Sequence, residues 1–295
     1  FGLRHSRNAT FCAAFLFLVL ALAVTTVPVP CAGQAPQPAL TDEERAWLQQ
    51  NPDKLVLWFD TQFPPVEYAA PDGTFTGMGA DIVALVEQRL GIAFTKRPSH
   101  NWNTHLAALE RGECAVAPTI VATPARERYA LFTPPYATVP VVIITGNGLQ
   151  SRITLEALAG RRVAVVSGYA TEDYLRRHMG RRLEVVPMPD VPHGLRAAAF
   201  GQVDAFVENL AVAAYYIEAE GIPNLRVAGT TAYNFAWCIG VSRHYPLLYS
   251  AIQKALTTIP AQDLEDVRRR WIAFEIESGW SPATQRLLVT MVAFV

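Results

Sequence analysis

The stretch Val139–Thr145 (VPVVIIT) decides the fold, together with a second stretch, Phe235–Val241 (FAWCIGV). Both are apolar runs of strand length. Residues 146–234, which lie between them, carry strand and helix patterns of their own. A lobe that the chain enters and leaves by two strands predicts a two-lobed molecule with a two-strand hinge. The cleft between two such lobes is the natural place for a ligand.

Strand and helix patterns alternate along most of the chain. The apolar run Leu55–Phe59 is followed by a helical pattern over Asp81–Leu90, and Thr41–Glu44 (TDEE) has the spacing of a helix capping box. Further strands are predicted at Ala115–Ala117, Arg162–Val166, Leu183–Val186, Ala205–Val207 and Leu225–Ala228. This alternation predicts an α/β chain with mainly parallel sheets.

Composition and motifs exclude several classes of protein. With 51% hydrophobic and 17% charged residues, the 295-residue chain is too apolar for a disordered protein, and a net charge of −1 argues against a nucleic-acid binder. The sequence has no phosphate loop, His-Glu-x-x-His, Gly-x-Ser-x-Gly or Cys-x-x-Cys motif, and its six histidines are scattered. We therefore expect no catalytic residue, no metal site and no cofactor.

The two ends of the chain indicate where the protein works. Residues 11–29 carry no charge and follow Arg4 and Arg7, so residues 1–33 are predicted to be a secretory signal peptide or an uncleaved anchor helix. Either alternative places the rest of the chain outside the cytoplasm, in the periplasm. Residues 287–295 (LLVTMVAFV) predict either a terminal helix packed on the core or the start of a transmembrane helix.

Two cysteines, Cys114 and Cys238, lie in the exported part of the chain. Export permits a disulfide, but buried thiols are equally compatible with a domain of this size. The sequence leaves both alternatives open.

The functional prediction is based on four segments of the sequence. These are Asp60–Tyr68 (DTQFPPVEY), Thr123–Arg126 with Phe132–Tyr136, Ser167–Thr171 and Gly201–Asn209. In order and spacing, residues 55–271 resemble the family 3 extracytoplasmic solute-binding proteins, the polar amino-acid-binding group with a Venus-flytrap fold. The resemblance implies a solute-binding domain over residues 41–275. Its first lobe would comprise about 53–141 and 236–275, and its second lobe about 142–235.

The resemblance also implies ligand contacts in the first lobe. The loop after the family's first strand supplies a side-chain contact and an aromatic wall, which fall on Asp60 and Phe63, and a second aromatic falls on Trp102. The arginine that binds the ligand carboxylate falls on Arg126. Its planar guanidinium can hold both carboxylate oxygens. Thr119 is a further contact.

In the second lobe the resemblance implies contacts at a helix start, from Tyr169, Ala170 and Thr171, and at Asn209. Two departures from the family pattern stand out. Val121 occupies a position where the amino-acid binders commonly have a hydroxyl residue. Asn209 replaces the acid that binds the ligand's α-ammonium group, which argues against an ordinary α-amino acid.

These residues predict binding of a small, amino-acid-like solute that carries a carboxylate. Flytrap domains fused to sensor kinases have similar features, namely the run Asn209–Ala213, the opening helix and the apolar tail. The resemblance implies that closure of the lobes would be coupled to a membrane signalling domain. The alternative is a free periplasmic receptor that serves the permease of an ABC amino-acid transporter. A third alternative is a dehydratase-type enzyme on the same fold, for which Glu208 is the candidate acid.

Overall fold

The computed structural model of the chain describes residues 37–146 and 152–272. The predictions for residues 1–33 and 287–295 lie outside these two ranges. Within the ranges, no helix combines the length and the apolar character that crossing a bilayer requires.

Twelve strands and eight α-helices make up the described residues. The strands are β1 (Val56–Asp60), β2 (Gln62–Phe63), β3 (Glu67–Ala69), β4 (Phe75–Thr76), β5 (Thr95–Ser99), β6 (Val116–Val121), β7 (Ala130–Phe132), β8 (Ala137–Gly146), β9 (Arg162–Val166), β10 (Glu184–Met188), β11 (Ala205–Asn209) and β12 (Leu225–Ser242). The helices are α1 (Asp42–Gln50), α2 (Met78–Leu90), α3 (Trp102–Arg111), α4 (Ala170–Met179), α5 (Val191–Ala199), α6 (Leu210–Ala219), α7 (Pro246–Thr257) and α8 (Ala261–Trp271).

One nine-stranded sheet runs through the molecule in the order β10-β9-β11-β8-β12-β6-β1-β5, with β7 paired to β12. Strands β8 and β12 lie at its centre and pair antiparallel along their length. We call the part built on β1, β5, β6 and β7 lobe one, and the part built on β9, β10 and β11 lobe two. A small sheet, β2-β3-β4, belongs to lobe one.

The sheet is mixed, so the prediction of mainly parallel sheets was only partly right. Strand β1 pairs parallel with β5 and β6, and β9 pairs parallel with β10 and β11. The two central strands pair antiparallel with their neighbours because the chain crosses between the lobes once in each direction.

The strands differ from the prediction in two ways: β2, β3, β4, β5 and β7 were not predicted, and two predicted runs form a single strand. Strand β5 (TKRPS) was missed because its side chains are polar and mostly exposed, which a strand at the edge of a sheet tolerates. The runs Leu225–Ala228 and Phe235–Val241 were predicted as separate strands, but both belong to β12. Its register with β8 shifts twice between them, and such irregularities hide the alternating pattern of a strand.

Helix α1 begins as predicted. The Glu44 backbone N–H donates to Thr41 Oγ1 (3.2 Å), and the Thr41 N–H donates to Glu44 Oε2 (2.7 Å), which completes the capping box. Glu44 is buried and also accepts hydrogen bonds from Ser250 and Lys254 of α7. Its carboxylate therefore both caps α1 and attaches this helix to lobe one.

Cys114 and Cys238 are both buried free thiols, which answers the question that the sequence left open. Burial raises the pKa of Cys114 to about 12 and that of Cys238 to about 11. Both thiols therefore stay protonated at neutral pH.

Candidate ligand cleft

A pocket lies at the ends of β1 and β6, where lobe one meets β12 and the start of α4. Its lining residues come from both lobes and are Asp60, Phe63, Glu67, Trp102, Thr119, Ile120, Val121, Arg126, Tyr169, Ala170, Phe235 and Trp237. The structure thus brings together all the predicted ligand residues except Thr171 and Asn209.

Arg126 is the cation of this cleft. It sits on the 3-10 turn Arg126–Arg128, is 5% exposed, and carries its guanidinium 5.4 Å from the centre of the Trp102 ring. Its Nη1 donates to the carbonyl of Val121 (2.7 Å) and its Nη2 to the carbonyl of Gly168 in lobe two (2.9 Å). Among the described residues no acid forms an ion pair with it.

The carbonyl of Gly168 connects the two lobes. It accepts from Trp102 Nε1 (3.2 Å) as well as from Arg126. Gly168 has a positive φ of 75°, and a Cβ at this position would overlap the side-chain amide of Asn103 in lobe one. Only glycine allows this close approach without strain.

Tyr169 fills the middle of the cleft. Its ring, 8% exposed, packs edge-on against Phe63 and Trp102, with ring centres 5.5 Å and 6.1 Å away. Phe63 also meets Trp237 edge-on. The aromatic walls of lobe one therefore enclose a side chain of lobe two.

Two buried acids lie on lobe one's side of the cleft. Burial raises the pKa of Asp60 to about 6, although hydrogen bonds from the Gln62 backbone N–H and the Tyr169 side chain lower it. Burial and the charge of Asp60 raise the pKa of Glu67 well above its ordinary value. Glu67 Oε1 accepts from the Asp60 backbone N–H (3.3 Å), whereas Oε2 is buried with no hydrogen-bond partner.

Beneath Trp102 lies His105, which is fully buried with its ring centre 5.0 Å from that of Trp102. Burial, together with the charge of Arg126, lowers its pKa to about 3. The imidazole is therefore neutral at any physiological pH.

The side chains leave a free volume of about 20 Å³ in the cleft. A cavity of that size holds about one water molecule. A larger ligand therefore requires the lobes to separate or the Tyr169 side chain to move. With Arg126 and Asp60 within the lining, the cleft offers charges of both signs to such a ligand.

Thr171 and Asn209 do not line the cleft. Asn209 is fully buried, its Oδ1 accepts from the Val212 N–H (3.0 Å) at the start of α6, and its Nδ2 donates to Glu208 Oε1 (2.7 Å). Thr171 is also fully buried, in the first turn of α4. Asn is a preferred helix N-cap, and that use of Asn209 competes with a role in ligand binding.

Glu208, the candidate acid of the dehydratase alternative, is likewise outside the cleft lining and fully buried. Burial raises its pKa to about 7. Its Oε2 has no hydrogen-bond partner.

Sequence reasoning missed five of the lining residues, namely Glu67, Ile120, Val121, Phe235 and Trp237. The sequence contained a signal for Phe235 and Trp237. They are two positions apart on a predicted hinge strand, so both face the same side of the sheet, and the hinge borders the cleft. Glu67 lies within the segment Asp60–Tyr68, but nothing in the sequence showed that the loop folds back on Asp60.

No group of three His, Cys, Asp or Glu side chains among residues 37–146 and 152–272 is arranged to hold a metal ion. The side chains that line the cleft are aromatic, aliphatic, hydroxyl-bearing or charged.

Comparison with known proteins identifies a family profile and several relatives that match this sequence. The sequence profile of the bacterial extracellular solute-binding proteins, family 3, matches residues 55–274. The virulence sensor protein BvgS of Bordetella pertussis is 27% identical over 235 residues, which are 79% of this chain and 19% of BvgS. The chain therefore spans about a fifth of the length of that sensor. The L-cystine-binding protein TcyJ of Escherichia coli is 24% identical over 156 residues, or 52% of this chain and 58% of TcyJ.

The fold is also found among solved structures. The crystal structure of the periplasmic VFT2 domain of Bordetella pertussis BvgS superposes with a TM-score of 0.71 at 26% identity, covering 80% of this chain and all of that domain. This likeness confirms the predicted two-lobed Venus-flytrap fold. The relatives are thus a family of solute-binding proteins, a sensor protein and a cystine-binding protein.

Proposed function

This chain belongs to the bacterial extracellular solute-binding proteins, family 3, and on that premise we propose that its cleft binds a small, amino-acid-like solute with a carboxylate group, outside the cytoplasm. Binding would favour one arrangement of the lobes over another. That change would be passed to a signalling domain across the membrane.

The proposal rests on the burial and the hydrogen bonds of Arg126. A buried guanidinium whose hydrogen bonds go to neutral carbonyls is an incompletely compensated charge. A ligand carboxylate can replace the carbonyls of Val121 and Gly168 with two charge-assisted hydrogen bonds, which are about twice as strong as neutral ones. The carboxylate would thus compete for the bonds that hold Gly168 to lobe one.

The acids and aromatic rings of the cleft indicate which chemical groups the rest of the ligand carries. Asp60 and Glu67 can accept a cationic or hydrogen-bond-donating group, and Phe63 and Trp102 can pack against an apolar body. Such a ligand would occupy the space that Tyr169 now fills. The sequence-based argument against an ordinary α-amino acid requires Asn209 to reach the ligand, whereas Asn209 caps α6 outside the cleft lining. In lobe one, Asp60 can supply the counter-charge to an ammonium group.

Signalling is favoured by the likeness to the sensor BvgS and to its periplasmic domain. The likeness to TcyJ, which covers about half of this chain, supports the alternative of a transport receptor that delivers its solute to an ABC permease. The coding sequence after codon 295 separates the two, since a signalling protein continues into a membrane span and a cytoplasmic domain.

A thermal-shift screen of the full chain against amino acids, other small carboxylates and short peptides would identify the ligand class. We expect Arg126→Ala to weaken the affinity for the best carboxylate about 100-fold, because a hydrogen-bonded charge contributes up to about 3 kcal/mol. Calorimetric titration measures this.

Arg128→Ala is the matched control. Arg128 lies on the same 3-10 turn but is exposed and outside the cleft, so its loss should leave the affinity unchanged. Undiminished binding by the Arg126→Ala protein would refute the proposal. A strong preference for free α-amino acids would refute the inference from Asn209.

A further inference from the structure

A second, larger groove lies on lobe one, away from the cleft. It encloses about 510 Å³ and is lined by the chain before α1, by α1 itself, by residues 52–55 and by the end of α2. The lining residues are Gln37, Pro38, Leu40, Arg45, Leu48, Gln49, Pro52, Leu55, Arg89, Leu90, Gly91, Ile92 and Ala93. Its volume falls in the range of small-molecule sites, about 300–1,000 Å³.

The lining combines apolar and polar side chains, includes two arginines and contains no acid. Leu48 and Leu55 are buried, and Leu40, Leu90 and Ile92 are partly buried. Of the two arginines, Arg45 is already engaged, because it donates to the Leu40 carbonyl and pairs with Asp42.

Arg89 differs from Arg45. It is 5% exposed, and neither its Nε nor its Nη1 has a hydrogen-bond partner. Within residues 37–146 and 152–272 its one ion pair is long, with 3.9 Å between Nη2 and Oδ2 of Asp263, an acid that is itself half exposed. A buried guanidinium held this loosely is costly, and an anion that reaches it recovers that cost.

We propose that this groove is a second binding site, which takes a small organic monocarboxylate with an apolar body. The carboxylate would bind Arg89, and the body would lie against the leucines of α1 and α2. A free mineral anion would make no use of the apolar side chains, and an uncharged apolar molecule would leave Arg89 with only its long contact to Asp263. The site is independent of the cleft and of the function proposed for it.

The test uses the full chain and 3-phenylpropionate as the probe, with 3-phenylpropanol as its uncharged counterpart, in calorimetric titration. We expect the acid to bind at least tenfold more tightly than the alcohol. Arg89→Met, which keeps the length of the side chain, should weaken binding of the acid at least tenfold. Arg126→Ala, which changes only the cleft, should leave it unchanged.

A second pair of variants does not depend on the buried arginine. Ala93 is exposed and lines the groove, so Ala93→Trp should block the site. Ala84→Trp adds the same ring to an exposed position of α2 outside the groove and should have no effect. Equal binding of acid and alcohol, no binding of the acid, or loss of binding in Arg126→Ala but not in Ala93→Trp would each overturn the proposal.

Discussion

At the scale of single residues, the molecule's buried charges are concentrated near Tyr169. Asp60 and Glu67 approach from lobe one and Glu208 from lobe two, and the charges of all three carboxylates raise the pKa of Tyr169, after burial as the largest cause. Each acid is more than nine-tenths buried. Because desolvation disfavours their charged forms, the lobe interface is sensitive to protonation.

Titration of Glu208 makes the free energy of unfolding depend on pH. Its folded-state pKa of about 7 exceeds the ordinary value of 4.5, so the folded state binds the proton more tightly. The stabilisation is complete below pH 4.5 and is lost as the pH rises through 7. At 1.36 kcal/mol per pKa unit this group should lower the free energy of unfolding by about 3 kcal/mol between pH 4.5 and 8.

Glu208→Gln should reduce the slope of that part of the pH profile, to which Asp60 and Glu67 still contribute. The neutral amide keeps an acceptor for the Asn209 N–H groups. Urea unfolding at several pH values measures the slope. Glu184→Gln, at an exposed position of lobe two, serves as the control. An unchanged slope in the Glu208→Gln protein would assign the titration to other groups.

At the scale of elements, helix α1 depends on one carboxylate. Glu44 completes the capping box with Thr41 and binds Ser250 and Lys254 of α7. Glu44→Ala removes a cap contribution of about 1 kcal/mol and a partly exposed ion pair of at most about 1 kcal/mol. We expect the midpoint of thermal unfolding to fall by about 4–8 °C.

Glu43→Ala is the control for this prediction, since Glu43 occupies the same turn but is exposed. Hydrogen exchange adds a local readout, because the amides of α1 should exchange faster only in the Glu44→Ala protein. Equal effects of the two substitutions would mean that the contacts with α7 do not hold the helix.

Elements with a regular apolar pattern were predicted well, and those without one were missed. Strand β9 (Arg162–Val166) has the predicted bounds, and α1 has the predicted cap. Strand β5 and the small sheet β2-β3-β4 lack the alternation that marks a strand. They form because neighbouring strands offer them hydrogen bonds, which is a tertiary effect.

At the scale of the whole molecule, a few contacts hold the lobes together. Gly168 accepts from Arg126 and Trp102, and the Tyr216 hydroxyl of lobe two donates to the Gln62 carbonyl of lobe one (2.9 Å). Gly168→Ala would place a methyl group against the side-chain amide of Asn103, and we expect this exposed amide to rotate away and the lobes to stay together.

Gly91→Ala provides the control for this substitution. Gly91 lies in the left-handed region, with φ 65° and ψ 34°, and a Cβ there meets no atom within 4 Å. Its replacement therefore carries only the backbone cost of about 1 kcal/mol. Spin labels on Ala84→Cys and Arg181→Cys, one on each lobe, should report equal distances in the two proteins. A longer distance in Gly168→Ala alone would show that Asn103 cannot move aside and that this contact sets the separation.

The sequence by itself determined the two-lobed α/β fold, because apolar periodicity, the inserted lobe and the order of the motifs are properties of the chain. The family resemblance also implied seven of the twelve residues that line the cleft. Only the tertiary structure decided which of them meet. Asn209 was committed to capping α6, Tyr169 was placed between the aromatic walls, and Glu67 was brought to Asp60. Burial and hydrogen-bond partners depend on neighbours distant in the chain, and local pattern does not encode them.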